Sequence, residues 1–122
     1  MKEGKIKLEE SQLLKGILEG CVLAIIAVEE TYGYEIISVL ADYGFNDIQD
    51  GTLYPVLTRL EKRDLIVCRI GKSPYGPKRK YFRISEEGKE YLEQFKKTYL
   101  DITERANSII LGDGEKYEKK SD

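Results

Sequence analysis

Three apolar stripes at helical spacing, two alternating segments joined by a glycine- and proline-rich turn, and a heptad seam follow one another along the chain, and this order predicts a mainly α (α+β) fold. Helix, helix, helix, two-stranded hairpin, helix is the order of a winged helix-turn-helix with a two-stranded β wing and a long C-terminal helix. With 122 residues, 41% hydrophobic and 34% charged, the chain has material for one small core and an extension beyond it.

The first helix is predicted over Gln12 to Glu29, where Leu14, Leu18, Cys21, Ile25 and Val28 recur at steps of four and three and Leu13, Ile17, Val22 and Ile26 widen the stripe. Thr31 and Gly33 break that pattern. A shorter second helix carries Ile36, Ile37, Val39 and Leu40 and stops at Gly44. Phe45 and Ile48 are expected to anchor the polar connection that follows. The third helix is predicted to start at Thr52, the N-cap, with Pro55 in the first turn where a missing N–H costs little. Leu53, Val56, Leu57 and Leu60 bury one side of it. The opposite side centres on Thr58 and Lys62, with Pro55 beside them, Thr52 and Arg59 at one margin and Tyr54 toward the other.

After Asp64 the period becomes two. Ile66, Cys68 and Ile70 alternate with Val67, Arg69 and Gly71, and Lys80, Phe82 and Ile84 with Arg79, Tyr81 and Arg83, around the turn "GKSPYGP". Ser85 caps the last helix, with Glu86 and Glu87 complementing the dipole of its first turn. Leu92, Phe95, Tyr99, Ile102, Ala106 and Ile109 step by three and four along it as a narrow seam. A helix reaching from Ser85 to Leu111 would be on the order of 40 Å long, more than so small a domain can cover. The expected organisation is a flexible segment at 1–9, the reading domain at 10–84, the long helix at 85–111 and a flexible, charge-dense tail at 112–122.

Several function classes drop out. There is no histidine and no CxxC, so neither a metal centre nor an imidazole base can be assembled, and Cys21 and Cys68 read as structural thiols. No phosphate-cradling glycine motif is present. The sequence therefore calls for no enzyme activity, no cofactor and no metal. The longest apolar run, Cys21 to Val28, is far short of the roughly 20 residues that span a bilayer, and no basic-then-apolar leader opens the chain, so a cytoplasmic location without membrane contact is expected.

The net charge of −2 conceals an asymmetry: residues 52–84 hold nine basic residues against only Glu61 and Asp64, which gives +7 there and −9 over the rest. Such a segment is the electrostatic footprint of a phosphate backbone. In a helix-turn-helix the helix after the turn enters the major groove, where Thr58 could contact either base type, Arg59 and Lys62 could donate to guanine or phosphate, and Pro55 or Thr52 could pack on a thymine methyl. The basic hairpin would add affinity and salt dependence on the backbone. Two other readings fit the same charges: a solvated face, or a winged dimer that binds an acidic protein partner and reads no operator.

The stretches "LLKGILEGCVL", "YGYEI", "GTLYPVLTRLEKRDLI" and "GPKRKYFRISEEGKEYL" together resemble the PadR family of bacterial transcriptional regulators, in the short form with a single C-terminal helix. The resemblance runs from about Leu13 to Tyr99. It implies a repressor that is a homodimer through the last helix aided by the first, binds double-stranded DNA at an inverted repeat and is released by a small-molecule effector. Carried over by position, the DNA contacts fall on Thr52, Tyr54, Pro55, Thr58, Arg59 and Lys62, and on Lys78, Arg79 and Lys80 of the wing. Tyr34, beside Tyr32 at the start of the second helix, either meets a phosphate there or packs its ring in the core. The dimer interface falls on Leu14 and Leu18 of the first helix and on Leu92, Phe95, Tyr99, Ile102, Ala106 and Ile109 of the last. Some relatives place a tryptophan at that interface against planar ligands. This chain has none, and Tyr99 at the matching position is either an effector contact or a seam residue.

Overall fold

The computed structural model describes residues 6–74 and 76–112. The flexible ends expected from the sequence therefore lie largely outside the described residues. The elements run α1 (Glu10–Leu14), α2 (Leu18–Val28), α3 (Gly33–Asp42), α4 (Asp50–Lys62), β1 (Ile66–Ser73), β2 (Gly76–Ile84) and α5 (Glu86–Ile110). This is the expected winged helix-turn-helix with a long last helix.

The single first helix expected over Gln12 to Glu29 is in fact two. Lys15 to Ile17 form a turn in which the Ile17 N–H donates to the Leu14 carbonyl at 2.9 Å, an i→i−3 bond that tightens the chain. Gly16 sits at the break, and glycine costs about 1 kcal/mol in a helix relative to alanine. The stripe that enters the core is also rotated from the expected one. Leu18, Val22, Leu23 and Ile26 are buried, whereas Leu13 and Val28 are exposed and Cys21 and Ile25 half-buried.

α3 ends as expected at Gly44, whose φ of +98° lies in the region glycine tolerates best, and the Phe45 N–H returns to the Leu40 carbonyl at 2.9 Å. Phe45 and Ile48 tie the connection to the core. α4 begins earlier than its sequence suggests. Gln49 is the N-cap residue, and its carbonyl accepts from the N–H groups of both Thr52 and Leu53 at 2.9 Å, so Thr52 is the third residue of the helix and does not cap it. Pro55 then falls inside the helix, past the first turn, and cannot supply the N–H that the Gly51 carbonyl would otherwise receive. Leu53, Val56, Leu57 and Leu60 are buried as expected and hold the helix down.

The hairpin pairs Ile66 with Ile84, Cys68 with Phe82 and Lys72 with Lys78. Only its base belongs to the core: Ile66 and Phe82 are buried, but Ile70, expected on the inner face, is 65% exposed because the strands run out past the body of the domain there. Thr31, between α2 and α3, joins the hairpin as a one-residue third strand. Its N–H donates to the Phe82 carbonyl at 3.0 Å and its carbonyl accepts from the Phe82 N–H at 2.7 Å.

Ser85 caps α5 as expected, accepting from the Gly88 N–H at 2.9 Å, while its hydroxyl donates to the Asp64 carbonyl at 2.7 Å. Gly88 lies directly on the Leu65 carbonyl, where no side chain fits. Farther on, the Phe95 ring fills the space that a side chain at Gly20 would take, and this contact fixes where α5 crosses α2. Of the 25 residues of α5 only Gly88 and Leu92 are buried, so its distal half has no core of its own to cover.

Candidate nucleic-acid interface

The outward face of α4 carries Thr52, Tyr54, Pro55, Thr58, Arg59 and Lys62, all exposed, while the four residues that anchor it point inward. Tyr54 is 40% exposed, and its ring packs over Gly33 at the first position of α3, where a side chain would strike the phenol oxygen. The glycine of "YGYE" and the tyrosine of "GTLYP" thus interlock, and their contact sets the spacing between the start of α3 and the outer face of α4. Tyr34, one residue on from Gly33, is 76% exposed, which removes the reading of it as a core ring. It stands in the first turn of α3, among N–H groups that have no acceptor within the helix.

Arg59 is less available than its place on the helix suggested. Glu19 of α2, 14% exposed, draws Arg59 to 3.8 Å and Arg63 to 3.5 Å, and also accepts from the Tyr91 hydroxyl at 2.8 Å. The guanidinium of Arg63 lies 4.7 Å from the centre of the Tyr91 ring. Glu19 therefore ties α2, α4 and α5 together. With both arginines about half exposed, each ion pair contributes at most about 1 kcal/mol.

The wing carries Arg69, Lys72, Lys78, Arg79, Lys80 and Arg83 and no acidic residue of its own, so an acidic partner must come from elsewhere in the chain. Glu30, from the end of the α2 segment, supplies one: Arg69 donates to it through two nitrogens, at 2.8 and 2.7 Å. That fork, reinforced by the charges of Arg69 and Arg83, holds the Glu30 carboxyl below the ordinary glutamate range. Above it runs a ladder of rings and cations. Arg69 lies 4.5 Å from the centre of the Tyr81 ring, Tyr81 meets Tyr32 edge to face at 5.8 Å, and Arg79 lies 4.0 Å from the centre of Tyr32. Gly71 leaves the room that Arg69 and Tyr81 occupy.

Arg79, placed among the DNA contacts by its position in "GPKRKY", is half-buried and is part of this scaffold; Lys78 and Lys80 are exposed. Nothing in the sequence announced the ladder as a whole. One of its rungs was within reach, because the register that pairs Ile66 with Ile84 places Arg69 opposite Tyr81. The same register sets Lys72 opposite Lys78 at the exposed end of the hairpin. Like charges directly across an antiparallel pair repel, and a bound anion relieves that repulsion.

The residues expected at a dimer interface divide into two groups. Leu14, Leu18 and Leu92 are 7%, 4% and 6% exposed and pack inside the protomer's own core. Their helical stripe is used up by intrachain packing. Phe95 is half-buried against Gly20 and Ala106 half-buried, while Tyr99, Ile102 and Ile109 are exposed along α5 together with Leu100, Ile110 and Leu111. Cys21 and Cys68 are free thiols, half-buried, and burial pushes both above the ordinary thiol range. Among the described residues no group of three or more Cys, Asp or Glu is arranged to hold a metal ion, and no helix is long and apolar enough to cross a membrane.

Comparison with known proteins gives one consistent answer. The model of the transcriptional regulator PadR-like family matches residues 22–94. Among solved structures, a PadR-like transcriptional regulator from Bacillus cereus is 44% identical and superposes with a TM-score of 0.74, covering 84% of this chain and 100% of that one. A Streptococcus transcriptional regulator is 45% identical at a TM-score of 0.71, covering 80% and 96%. An uncharacterised protein of Lysinibacillus sphaericus is 36% identical over 104 residues, 84% of this chain and 95% of its own length.

Proposed function

The chain belongs to the PadR-like family of transcriptional regulators, and from that premise we propose that it is a homodimeric repressor that binds an inverted-repeat operator and leaves it when a small molecule binds. Each protomer presents the outer face of α4 to the major groove. Thr52, Pro55, Thr58 and Lys62 meet base edges and thymine methyls, and Tyr54 meets the groove margin. Lys78 and Lys80 hold the adjacent phosphates, and Tyr34 with the first turn of α3 holds another. Arg79 acts chiefly by keeping the wing in place against Tyr32.

The dimer forms along the distal half of α5, through Tyr99, Ile102, Ala106 and Ile109. Tyr99 lies on that seam, so a ligand that alters the seam alters the separation of the two reading heads. Half-sites should then be spaced by one turn of duplex or a multiple of it.

The observation that carries this reading is the wing. It is pinned at its base by Thr31 and Glu30, and it ends in lysines that face each other across the strands with no cationic repulsion relieved unless an anion lies between or beside them. The test is selection of bound duplexes from a random pool, followed by titration of the selected sequence at several salt concentrations. A palindromic consensus with affinity that falls steeply with salt is the expected result. Absence of any preference over random duplex, or affinity flat in salt, would refute it.

A further inference from the structure

Glu19 carries one negative charge and faces two arginines that are not equivalent. Its two oxygens have different partners. One accepts from the Tyr91 hydroxyl at 2.8 Å, and the other faces Arg59 at 3.8 Å and Arg63 at 3.5 Å, separations too long for strong hydrogen bonds. Arg63, at the C-terminal end of α4, has further ties: its guanidinium lies over the Tyr91 ring and donates to the Tyr91 hydroxyl at 3.5 Å. Arg59, one turn earlier, has Glu19 as its only ion-pair partner among the described residues. It lines the same groove as Thr52 and Pro55, two of the proposed DNA contacts, and its side chain is 53% exposed.

An arginine that leaves its carboxylate for a phosphate or a base strands that carboxylate, at a cost that grows with burial. Glu19, at 14% exposed, would bear such a cost. The second arginine removes it. Arg63 stays behind and neutralises Glu19 both directly and through the Tyr91 hydroxyl, which accepts from Arg63 and donates to Glu19.

We propose that Arg59 is handed over from Glu19 to DNA, and that Arg63 and Tyr91 are positioning residues that make the handover possible without touching the duplex. This deepens the repressor reading and rests on it for the DNA side alone. Tyr91 belongs to α5, so the orientation of the long helix reaches the DNA-facing side of α4 through a single carboxylate.

The test is a set of double-mutant cycles read in affinity for the selected duplex. With Arg63 gone, Glu19 has only Arg59 to pair with and holds it harder, so Arg63→Ala should weaken binding by about threefold or more. In a Glu19→Gln or an Arg59→Ala background the same substitution should lose most of its effect, because the holder or the held group is missing. Tyr91→Phe keeps the ring beneath Arg63 but frees one oxygen of Glu19. It should weaken binding by about twofold, again only while Arg59 is present. Where Arg63→Ala does not fold, Arg63→Gln gives the same cycles. No loss from removing Arg63, or an equal loss in all three backgrounds, would overturn the handover; the second result would show that Arg63 acts on DNA through its own charge.

Hydrogen exchange at the Arg59 side-chain Nε–H, followed by NMR without DNA, separates the handover from the repressor reading. It should slow by about twofold or more in Arg63→Ala. An unchanged rate would overturn the proposal even if DNA affinity falls. A chain that shows the slower exchange but binds no duplex would refute the repressor and leave the grip of Glu19 on Arg59 standing.

Discussion

Gly20→Ala tests the contact that orients the long helix. Gly20 is the third residue of α2, and an added methyl there would run into the ring of Phe95 from α5. Two effects of opposite sign compete. Alanine favours the helix and restricts the unfolded chain, together worth up to about 1 kcal/mol. Forcing the methyl against a packed ring costs about 1–3 kcal/mol. In the parent chain the net expectation is thus a loss of about 0–3 kcal/mol. In a Phe95→Ala background the ring is gone, the opposing effect vanishes, and the same substitution should stabilise by up to about 1 kcal/mol. The coupling between the two positions is then about 1–3 kcal/mol, readable from urea denaturation of the four proteins at one chain concentration, so that self-association enters each measurement alike. Because α5 must pivot to admit the methyl, Gly20→Ala should also weaken operator binding while sedimentation still shows a dimer. An equal effect of Gly20→Ala in both backgrounds, or stabilisation of the parent chain, would show that Phe95 does not occupy this space and would undo the account of how α5 is aimed.

Replacing Lys78 or Lys80 by alanine should weaken binding to all duplexes alike and reduce the slope of log affinity against log salt by about 1 for each; an altered consensus sequence would show that these residues read bases. Ile102→Asp should raise the dimer dissociation constant about a hundredfold, about 3 kcal/mol, since a carboxylate in the seam has no partner; sedimentation velocity would expose an unchanged dimer. The Glu30 carboxyl is held below its ordinary value of 4.5, so its contribution to wing docking is present above that pH and lost as pH falls through the lower folded value. Ring signals of Tyr32 and Tyr81 should follow that loss, and Glu30→Gln should remove the transition; the same acid profile in both proteins would exclude the Arg69 fork as its cause.

What the sequence disclosed, and what it hid, divides along the range of the interactions involved. The Ser85 cap, the Gly44 stop and the burial of Leu53, Leu57 and Leu60 depend on neighbours a few residues away, and spacing alone revealed them. The start of α4 misled for a local reason: Thr52 is a good cap by type, but Gln49 two residues before Gly51 already takes both amides. The contacts that matter for function and stayed hidden join residues far apart in the chain. Glu30 meets Arg69 across 39 positions and Glu19 meets Tyr91 across 72, and no periodicity encodes such pairings. The packing of Leu14, Leu18 and Leu92 within the protomer was hidden for the same reason. A stripe shows that a helix face is covered but not which surface covers it.

Gly88, pressed against the Leu65 carbonyl at the root of α5, makes that helix a lever with its fulcrum at one end. The arm of 25 residues is about 37 Å long at 1.5 Å per residue. A tilt of about 5° at the root would carry the tip roughly 3 Å, close to the rise of about 3.4 Å that separates successive bases on a DNA strand. A displacement at Gly88 or Gly20 smaller than the width of an atom would thus be read at the far end as one base pair, which is the unit in which an operator keeps its spacing.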